Sequence, residues 1–161
     1  IICEVLGGAY TSDAYHITAS APGGRGAALA MKRAMEWNDV QPTEVDFIAA
    51  HATATDIGDV SETEALKAAF GDHAYKLSIS ANKSMVGHLL GAAGAISSLG
   101  CILAIRDNLV PPTINLETPD PECDVNLVAN TSREADVAIA MSNSLGFGGH
   151  NATLIFRRYG G

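Results

Sequence analysis

Two titratable side chains stand immediately before an apolar segment. In NKSMVGHLLGAAG (residues 82–94), Lys83 and His88 lie five positions apart and precede a run rich in glycine, alanine and leucine. His88 falls near a predicted helix start, where the helix dipole disfavours protonation, and a neutral imidazole can donate a hydrogen bond to a developing oxyanion. Lys83 is expected to be partly buried, and a buried ammonium needs a partner. The competing interpretation is a solvated lysine beside a histidine that caps a helix.

A second histidine ends an apolar stretch. In HATAT, Thr53 and Thr55 follow His51 by two and four residues, and the period of an extended chain places all three on one side. The competing interpretation is a strand-end histidine satisfied by backbone groups, followed by threonines that suit a turn. His51, His88 and His150 are also metal-binding residue types. No carboxylate or thiolate falls at a ligand spacing from them, so the sequence disfavours a metal site.

The segment SLGFGGHN (residues 144–151) offers backbone chemistry. Its glycines permit positive φ and close approach of the backbone to a ligand. A loop of this kind can present amide N–H groups to an anion, as an oxyanion hole does. Phe147 within it is either a core anchor or a gate.

Each of the three motifs follows a predicted strand. The order β-α-β-α-β-α-β-β indicates an α/β domain with helices packed on a mixed sheet. Ligands bind at the carboxyl ends of strands in such sheets, so the motifs are expected to meet at one edge. Ser61 and Glu64 have the spacing of a capping box at the start of the second helix. The patterns predict strands over 1–8, 45–50, 77–80, 135–143 and 152–158, and helices over 25–37, 61–70 and 86–106.

The uncharged run over residues 89–105 raises the question of a membrane span. The run is at the short limit for a span and contains three glycines and two serines. A central helix buried on all sides fits this composition better, with the glycines allowing neighbouring elements to approach.

Composition limits the classes of function. The chain has 161 residues, of which 47% are hydrophobic and 17% are charged, as in a single globular domain. Its net charge of −8 argues against a nucleic-acid or anionic-membrane surface. Three cysteines without a C-x-x-C motif predict reduced thiols in the cytoplasm. Because Ile1 opens what reads as a strand, we expect the chain to belong to a longer polypeptide.

Four segments together resemble a known family: HATATDIGD, NKSMVGHLLGAAGA, VPPTINLETPDPECDV and SNSLGFGGHNATLIF. They are similar to the C-terminal half of a β-ketoacyl-[acyl-carrier-protein] synthase of the synthase II type, a thiolase-like condensing enzyme. The resemblance runs through the whole chain. It implies that residues 1–161 form one thiolase-like half, and that an N-terminal half carries the nucleophilic cysteine. The implied reaction is decarboxylative Claisen condensation of malonyl carrier protein with an enzyme-bound acyl thioester, which elongates a fatty acid by two carbons as a 3-oxoacyl product.

The resemblance also implies roles for individual side chains. His51 and His88 would hydrogen-bond the malonyl thioester carbonyl and stabilise the enolate. Lys83 would support the site electrostatically, while Thr53 and Thr55 would bind the phosphopantetheine arm.

Further expectations concern the loop, the partners and the nucleophile. Phe147 matches a gating phenylalanine whose N–H joins the oxyanion hole, and Gly148 is expected to bind substrate. No metal or cofactor is implied beyond the phosphopantetheine of acyl carrier protein. The implied partners are that carrier, the N-terminal half and a second copy in a cytoplasmic homodimer, without nucleic acid or membrane. Cys101 lies in the apolar helix, where burial would raise its pKa, so this chain alone is not expected to condense anything.

Three positions depart from the family pattern. Ala52 stands where relatives commonly have glycine, and His150 where many have threonine. Ser97 stands where a glutamate usually pairs with the lysine, so Lys83 needs another anionic partner or its pKa falls. Three alternatives stay open: a catalytically silent subunit that binds acyl chains or sets their length, a polyketide condensing domain, and a pure interaction domain. Retention of both His51 and His88 favours an enzyme.

Overall fold

A computed structural model describes residues 1–160 and contains two sheets, four α-helices and several 3-10 turns. The helices are α1 Arg25–Trp37, α2 Asp56–Phe70, α3 Lys83–Val86 and α4 Ala93–Asp107. The strands are β1 Cys3–Ser12, β2 Phe47–Ala49, β3 Ser78–Ser80, β4 Leu109–Val110, β5 Arg133–Glu134, β6 Ile139–Gly146 and β7 His150–Arg158.

The main sheet has five strands in the order β1-β7-β6-β2-β3. Strand β2 runs parallel to both β3 and β6, whereas β7 is antiparallel to both β6 and β1. Strands β4 and β5 form a separate antiparallel pair. The predicted mixed α/β sheet and its β-α-β-α-β-α-β-β order are confirmed for this main sheet.

Helices cover the sheet on both faces. Helices α1 and α2 pack on one face, around Met31, Leu66, Ile48 and Ile155. Helix α4 packs on the other face, where Phe47 lies against it. Consecutive residues of β2 belong to opposite clusters because side chains alternate along a strand. Parallel strands β2, β3 and β6 therefore end at one edge of a sheet that is held from both sides.

Most predicted elements are found, with shifted ends. The helix over 25–37 is α1 as predicted, while β1 extends four residues beyond its predicted end. The proposed capping box at Ser61 is wrong, because α2 already begins at Asp56 with Thr55 as its N-cap residue. The Ser61 hydroxyl is buried and donates instead to the carbonyl of Ala21, at 3.3 Å. Helix α2 ends at Phe70 as predicted, and Gly71 follows it with φ at +57°.

The predicted long helix over 86–106, buried on all sides, is wrong in two respects. The chain leaves the helical path at Gly87, passes through a 3-10 turn at Leu90–Ala92, and enters α4 only at Ala93. One face of α4 packs on the sheet, whereas Leu99 on the other face is 45% exposed. The stretch Leu90–Asp107 is long and apolar enough to cross a membrane by length and composition alone, and 22% of it is buried in this structure. One face of α4 is therefore apolar and exposed within residues 1–160.

Candidate active site

The carboxyl end of β2 is fixed by a buried carboxylate. The two oxygens of Glu62 on α2 accept hydrogen bonds from the backbone N–H groups of His51 and Ala52, both at 2.9 Å. Asn143 Nδ2 on β6 donates to the same carboxylate at 3.3 Å. Glu62 is only 3% exposed, and burial raises the pKa of its carboxyl group despite these donors and nearby Lys83. Glu62 is not predictable as a site residue from the sequence, where its only signal is an acidic residue on the buried side of α2.

The same turn holds an alanine in an unfavourable conformation. Ala52 has a φ of +28°, in the region that suits glycine better than residues with a Cβ. A non-glycine residue in such a conformation costs on the order of 1 kcal/mol. The hydrogen bond from Ala52 N–H to Glu62 holds the conformation in place. The departure from the family glycine therefore leaves the shape of the turn intact at some cost in stability.

The two predicted histidines are brought together. The rings of His51 and His88 meet edge to face, with centroids 5.8 Å apart and planes at 87°. Burial, together with the smaller effects of nearby Lys83 and His88, lowers the pKa of the half-buried His51 to about 4. His51 is therefore a neutral imidazole near pH 7 and carries one N–H donor.

His88 is oriented by a turn and not by a helix start. It lies between the end of α3 and the 3-10 turn at Leu90–Ala92, and it is exposed. Leu90 N–H donates to its Nδ1 at 3.1 Å. Because Nδ1 accepts this bond, the proton of neutral His88 sits on Nε2, where it can be donated to a ligand. The predicted dipole effect at a long helix is wrong, and a local hydrogen bond fixes the tautomer instead.

Lys83 links the two motifs. It is the first residue of α3, and its Nζ donates to the carbonyl oxygen of His51 at 2.5 Å. Burial lowers the pKa of Lys83, while the carboxylates of Glu62 and Asp59 partly offset this effect. The anionic partners that Ser97 does not provide therefore come from α2.

A cavity of about 440 Å³ opens beside His51. Thr53, Thr55 and Phe147 also line it, together with residues 18–20. Phe147 is 78% exposed, so its ring is not a core anchor in this structure. The expected convergence of the HATAT and GFGG motifs at one sheet edge is therefore found.

The glycine loop is tied to a second loop. Gly148 and Gly149 have φ values of +82° and +75° in the turn between β6 and β7. The N–H of Gly148 donates to the carbonyl of Ile17 at 2.7 Å, and Asp13 N–H donates to the carbonyl of Gly149 at 2.8 Å. The Gly148 N–H is therefore already hydrogen-bonded to Ile17 in this conformation. If this N–H is to bind substrate as predicted, the hydrogen bond to Ile17 must first break. His150 is exposed at the start of β7, and its ring packs beneath Gly148.

The thiols of the described chain are not activated. Burial raises the pKa of Cys101 to about 12, and its S–H donates to the carbonyl of Met141 at 3.3 Å. Burial also raises the pKa of Cys3 and of Cys123. Cys101 is buried as predicted and unsuited to act as a nucleophile. Within residues 1–160, no three His, Cys, Asp or Glu side chains are grouped so as to hold a metal ion.

The paired histidines and Lys83 lie in the part of the chain that a family model matches. The model of the family described as "Beta-ketoacyl synthase, C-terminal domain" matches residues 2–117, more than half of the chain. The chain belongs to the β-ketoacyl synthase family.

Named relatives agree with this assignment. The ketoacyl synthase chain is 52% identical over 156 residues to 3-oxoacyl-[acyl-carrier-protein] synthase 2 of Synechocystis sp., an alignment that covers 97% of the chain and 38% of that relative. It matches the type II polyketide ketosynthase AntDE, solved with the acyl-carrier protein AntF, at 34% identity and a TM-score of 0.96, over 99% of the chain and 39% of that structure. It also matches the ishigamide ketosynthase/chain length factor at 41% identity and a TM-score of 0.94, again over 99% of the chain and 39% of that structure.

These coverages define the relation between the chain and its relatives. The chain spans less than two fifths of the length of the 3-oxoacyl-[acyl-carrier-protein] synthase 2 that it matches. The solved neighbours are thiolase-like ketosynthases, so the predicted thiolase-like architecture is confirmed.

Proposed function

We propose that this chain is the C-terminal half of a β-ketoacyl-[acyl-carrier-protein] synthase. The complete enzyme condenses malonyl carrier protein with an enzyme-bound acyl thioester and forms a 3-oxoacyl carrier protein, as in fatty-acid elongation. The observation that carries the proposal is the pair of imidazoles, His51 and His88, whose rings are 5.8 Å apart beside Lys83.

The two imidazoles suit the decarboxylation step. The bond between the malonyl carboxylate and C2 breaks, carbon dioxide leaves, and the electron pair is delocalised onto the thioester oxygen as an enolate. Neutral His51 and the Nε2–H of His88 donate hydrogen bonds to that oxygen without being strong acids that would quench the carbanion. Each such donor is typically worth about 10²–10³ in rate. The carbanion then attacks the acyl carbonyl and expels the enzyme thiolate.

The nucleophilic thiol belongs to an N-terminal half. Cys101, Cys3 and Cys123 all have raised pKa values, so none of them is suited to accept an acyl chain. We propose that the N-terminal half packs against the bare apolar face of α4, around Leu99 and Leu103, and covers the exposed His88. The greater length of the relatives is consistent with such a further half.

The cavity beside His51 suits the arm of a carrier protein. Its volume of about 440 Å³ and its lining by Thr53 and Thr55 fit a narrow polar chain such as phosphopantetheine, with Phe147 at the entrance and the Gly148 loop beside it. A solved ketosynthase neighbour is bound to its acyl-carrier protein. Carrier proteins are acidic, and this chain carries a net charge of −8, so we place the basic docking surface on the N-terminal half or on the second subunit of a homodimer. The expected location is the cytoplasm.

A second candidate is a silent chain-length subunit, because a solved neighbour is a ketosynthase/chain length factor. A polyketide condensing enzyme is the third. The complete two-half enzyme, incubated with acyl and malonyl carrier proteins, is expected to give carbon dioxide and one 3-oxoacyl carrier protein two carbons longer, as judged by mass spectrometry. Residues 1–161 alone are expected to give neither. Repeated condensation without reduction would indicate a polyketide enzyme, and absence of carbon dioxide would indicate the silent subunit.

A further inference from the structure

Asp59 has a carboxylate oxygen without a partner, close to Lys83. The residue lies in the first turn of α2, where the nearby backbone N–H groups of Ala54 and Thr55 lower the pKa of its carboxyl group. One of its oxygens, Oδ1, is buried and makes no hydrogen bond within residues 1–160. A buried polar atom in this state is costly unless it meets water or a proton.

Asp59 stands where two cavities join. One cavity of about 460 Å³ is lined by Lys83 and His88, and another of about 200 Å³ is lined by Asp120 and Cys123. The two cavities have five lining residues in common, which are Ala52, Asp59, Ala81, Thr113 and Leu116. We refer to these two adjoining cavities together as the groove, and one of them reaches Lys83. The groove is distinct from the 440 Å³ cavity proposed for the carrier arm, with which it has Thr53 in common.

The proposed reaction consumes one proton in each condensation. In condensation the malonyl carboxylate loses carbon dioxide, its electron pair forms the new C–C bond, and the acyl C–S bond breaks with its pair on sulfur. The thiolate must then take up one proton before the next acyl chain is loaded. Loading itself is proton-neutral, because one thiol is consumed and another is released. Every condensation therefore consumes one proton while the carrier arm fills its own cavity.

We propose that Asp59 relays this proton from water in the groove to Lys83. Lys83 gives a proton to the expelled thiolate, the neutral amine recovers one from the protonated Asp59 carboxyl group, and Asp59 takes up a proton from the solvent through water in the groove. Each transfer moves one proton and needs no other reagent. Asp59 acts through Lys83 and is a positioning residue rather than a catalytic one. The inference rests on the function proposed above.

Burial and nearby charges bring the pKa of Asp59 closer to that of Lys83. Burial raises the pKa of Asp59 and lowers that of Lys83, so the two values move towards each other. The other charged or titratable groups near Asp59 or along the groove are Asp56 and Glu62 on α2, His88 beyond α3, and Asp120 and Cys123 in the 113–127 loop. Asp56 and Asp120 raise the pKa of Asp59 further, while the N–H groups of the 54–55 turn lower it.

Asp59→Asn in the complete synthase tests the relay, because asparagine keeps an oxygen for the turn and loses the transferable proton. Condensation is expected to slow by at least about tenfold, in the range of lost general acid–base assistance. Loading of the enzyme from acyl carrier protein is expected to stay within about twofold. Asp72→Asn, which neutralises an exposed aspartate outside the groove, is the matched control and is expected to leave both rates unchanged.

Chemical rescue separates a relay from a structural cap. In Asp59→Ala, formate is expected to restore condensation in proportion to its concentration, because a small acid can enter the groove, and to leave wild type unaffected. Unchanged condensation in Asp59→Asn, equal loss of loading and condensation, or absence of formate rescue would each overturn the relay. Failure of the proposed function would look different, because wild type itself would form no 3-oxoacyl product.

Discussion

Glu62→Gln removes one buried charge while keeping the side chain nearly the same size. The carboxylate accepts two backbone N–H groups at 2.9 Å and the Asn143 amide at 3.3 Å. A glutamine has a single oxygen, so one backbone N–H would face the glutamine NH₂ group instead of an acceptor. Loss of such a charge-assisted bond, with a buried donor left unpaired, costs about 2–4 kcal/mol. The neutral amide is cheaper to bury than the carboxylate, which offsets part of that cost and leaves a net loss of about 2 kcal/mol.

Urea unfolding of the 161-residue chain measures this loss. Glu64→Gln is the matched control, because Glu64 lies on the same helix and is exposed. The control is expected to change the free energy of unfolding by less than about 0.5 kcal/mol. If Glu62→Gln proves as stable as the wild type, the claim that this carboxylate holds the His51–Ala52 turn is refuted.

Three further outcomes follow from the site and from α4. Burial lowers the pKa of His51 from 6.5 to about 4, so the unfolded chain binds more protons than the folded chain between these pH values, and stability falls as the pH drops through them. Urea titrations at pH 7 and pH 4 measure this loss, and we expect His51→Gln to remove about 2 kcal/mol of it. A pH dependence identical to that of the wild type would contradict the shift. Ala52→Gly, at a φ of +28°, should raise the free energy of unfolding by up to about 1 kcal/mol, and a clear decrease would show that the turn is unstrained. Leu103→Lys on the exposed apolar face of α4 should change the free energy of unfolding of the isolated chain by less than about 0.5 kcal/mol but should abolish soluble complete enzyme. Leu29→Lys, on the exposed side of α1, is the control and should leave the complete enzyme soluble. Normal assembly of Leu103→Lys would exclude this face as the contact with the N-terminal half.

The sheet and outer helices follow from local patterns. Apolar spacing at helical period predicts α1 within its observed bounds, and the short apolar stretches that become β2 and β3 are recognisable because glycine, proline and polar turns bound them. The position of each motif after a strand is enough to predict that His51 and the glycine loop meet at one sheet edge. These features depend on residues that are near one another in sequence.

Features that depend on distant contacts could not be predicted in the same way. Glu62 reads as one acidic residue in a helix, yet its partners are a strand end and Asn143 on β6, which only the folded chain brings together. The apolar run after His88 reads as one buried helix, but Gly87 breaks it and one face of α4 has no cover within residues 1–160. The orientation of His88 likewise follows from one hydrogen bond in a turn that no pattern specified.

Release of carbon dioxide from malonyl carrier protein by the complete synthase tests the central claim most directly. His51→Ala and His88→Ala are each predicted to lower that rate by about a hundredfold or more, because each removes one donor to the enolate oxygen. His73→Ala, a histidine whose ring contacts the carbonyl of Val45 outside the site, is the control and is predicted to keep the rate. Undiminished decarboxylation in either of the first two variants, with the fold intact by circular dichroism, would contradict the account.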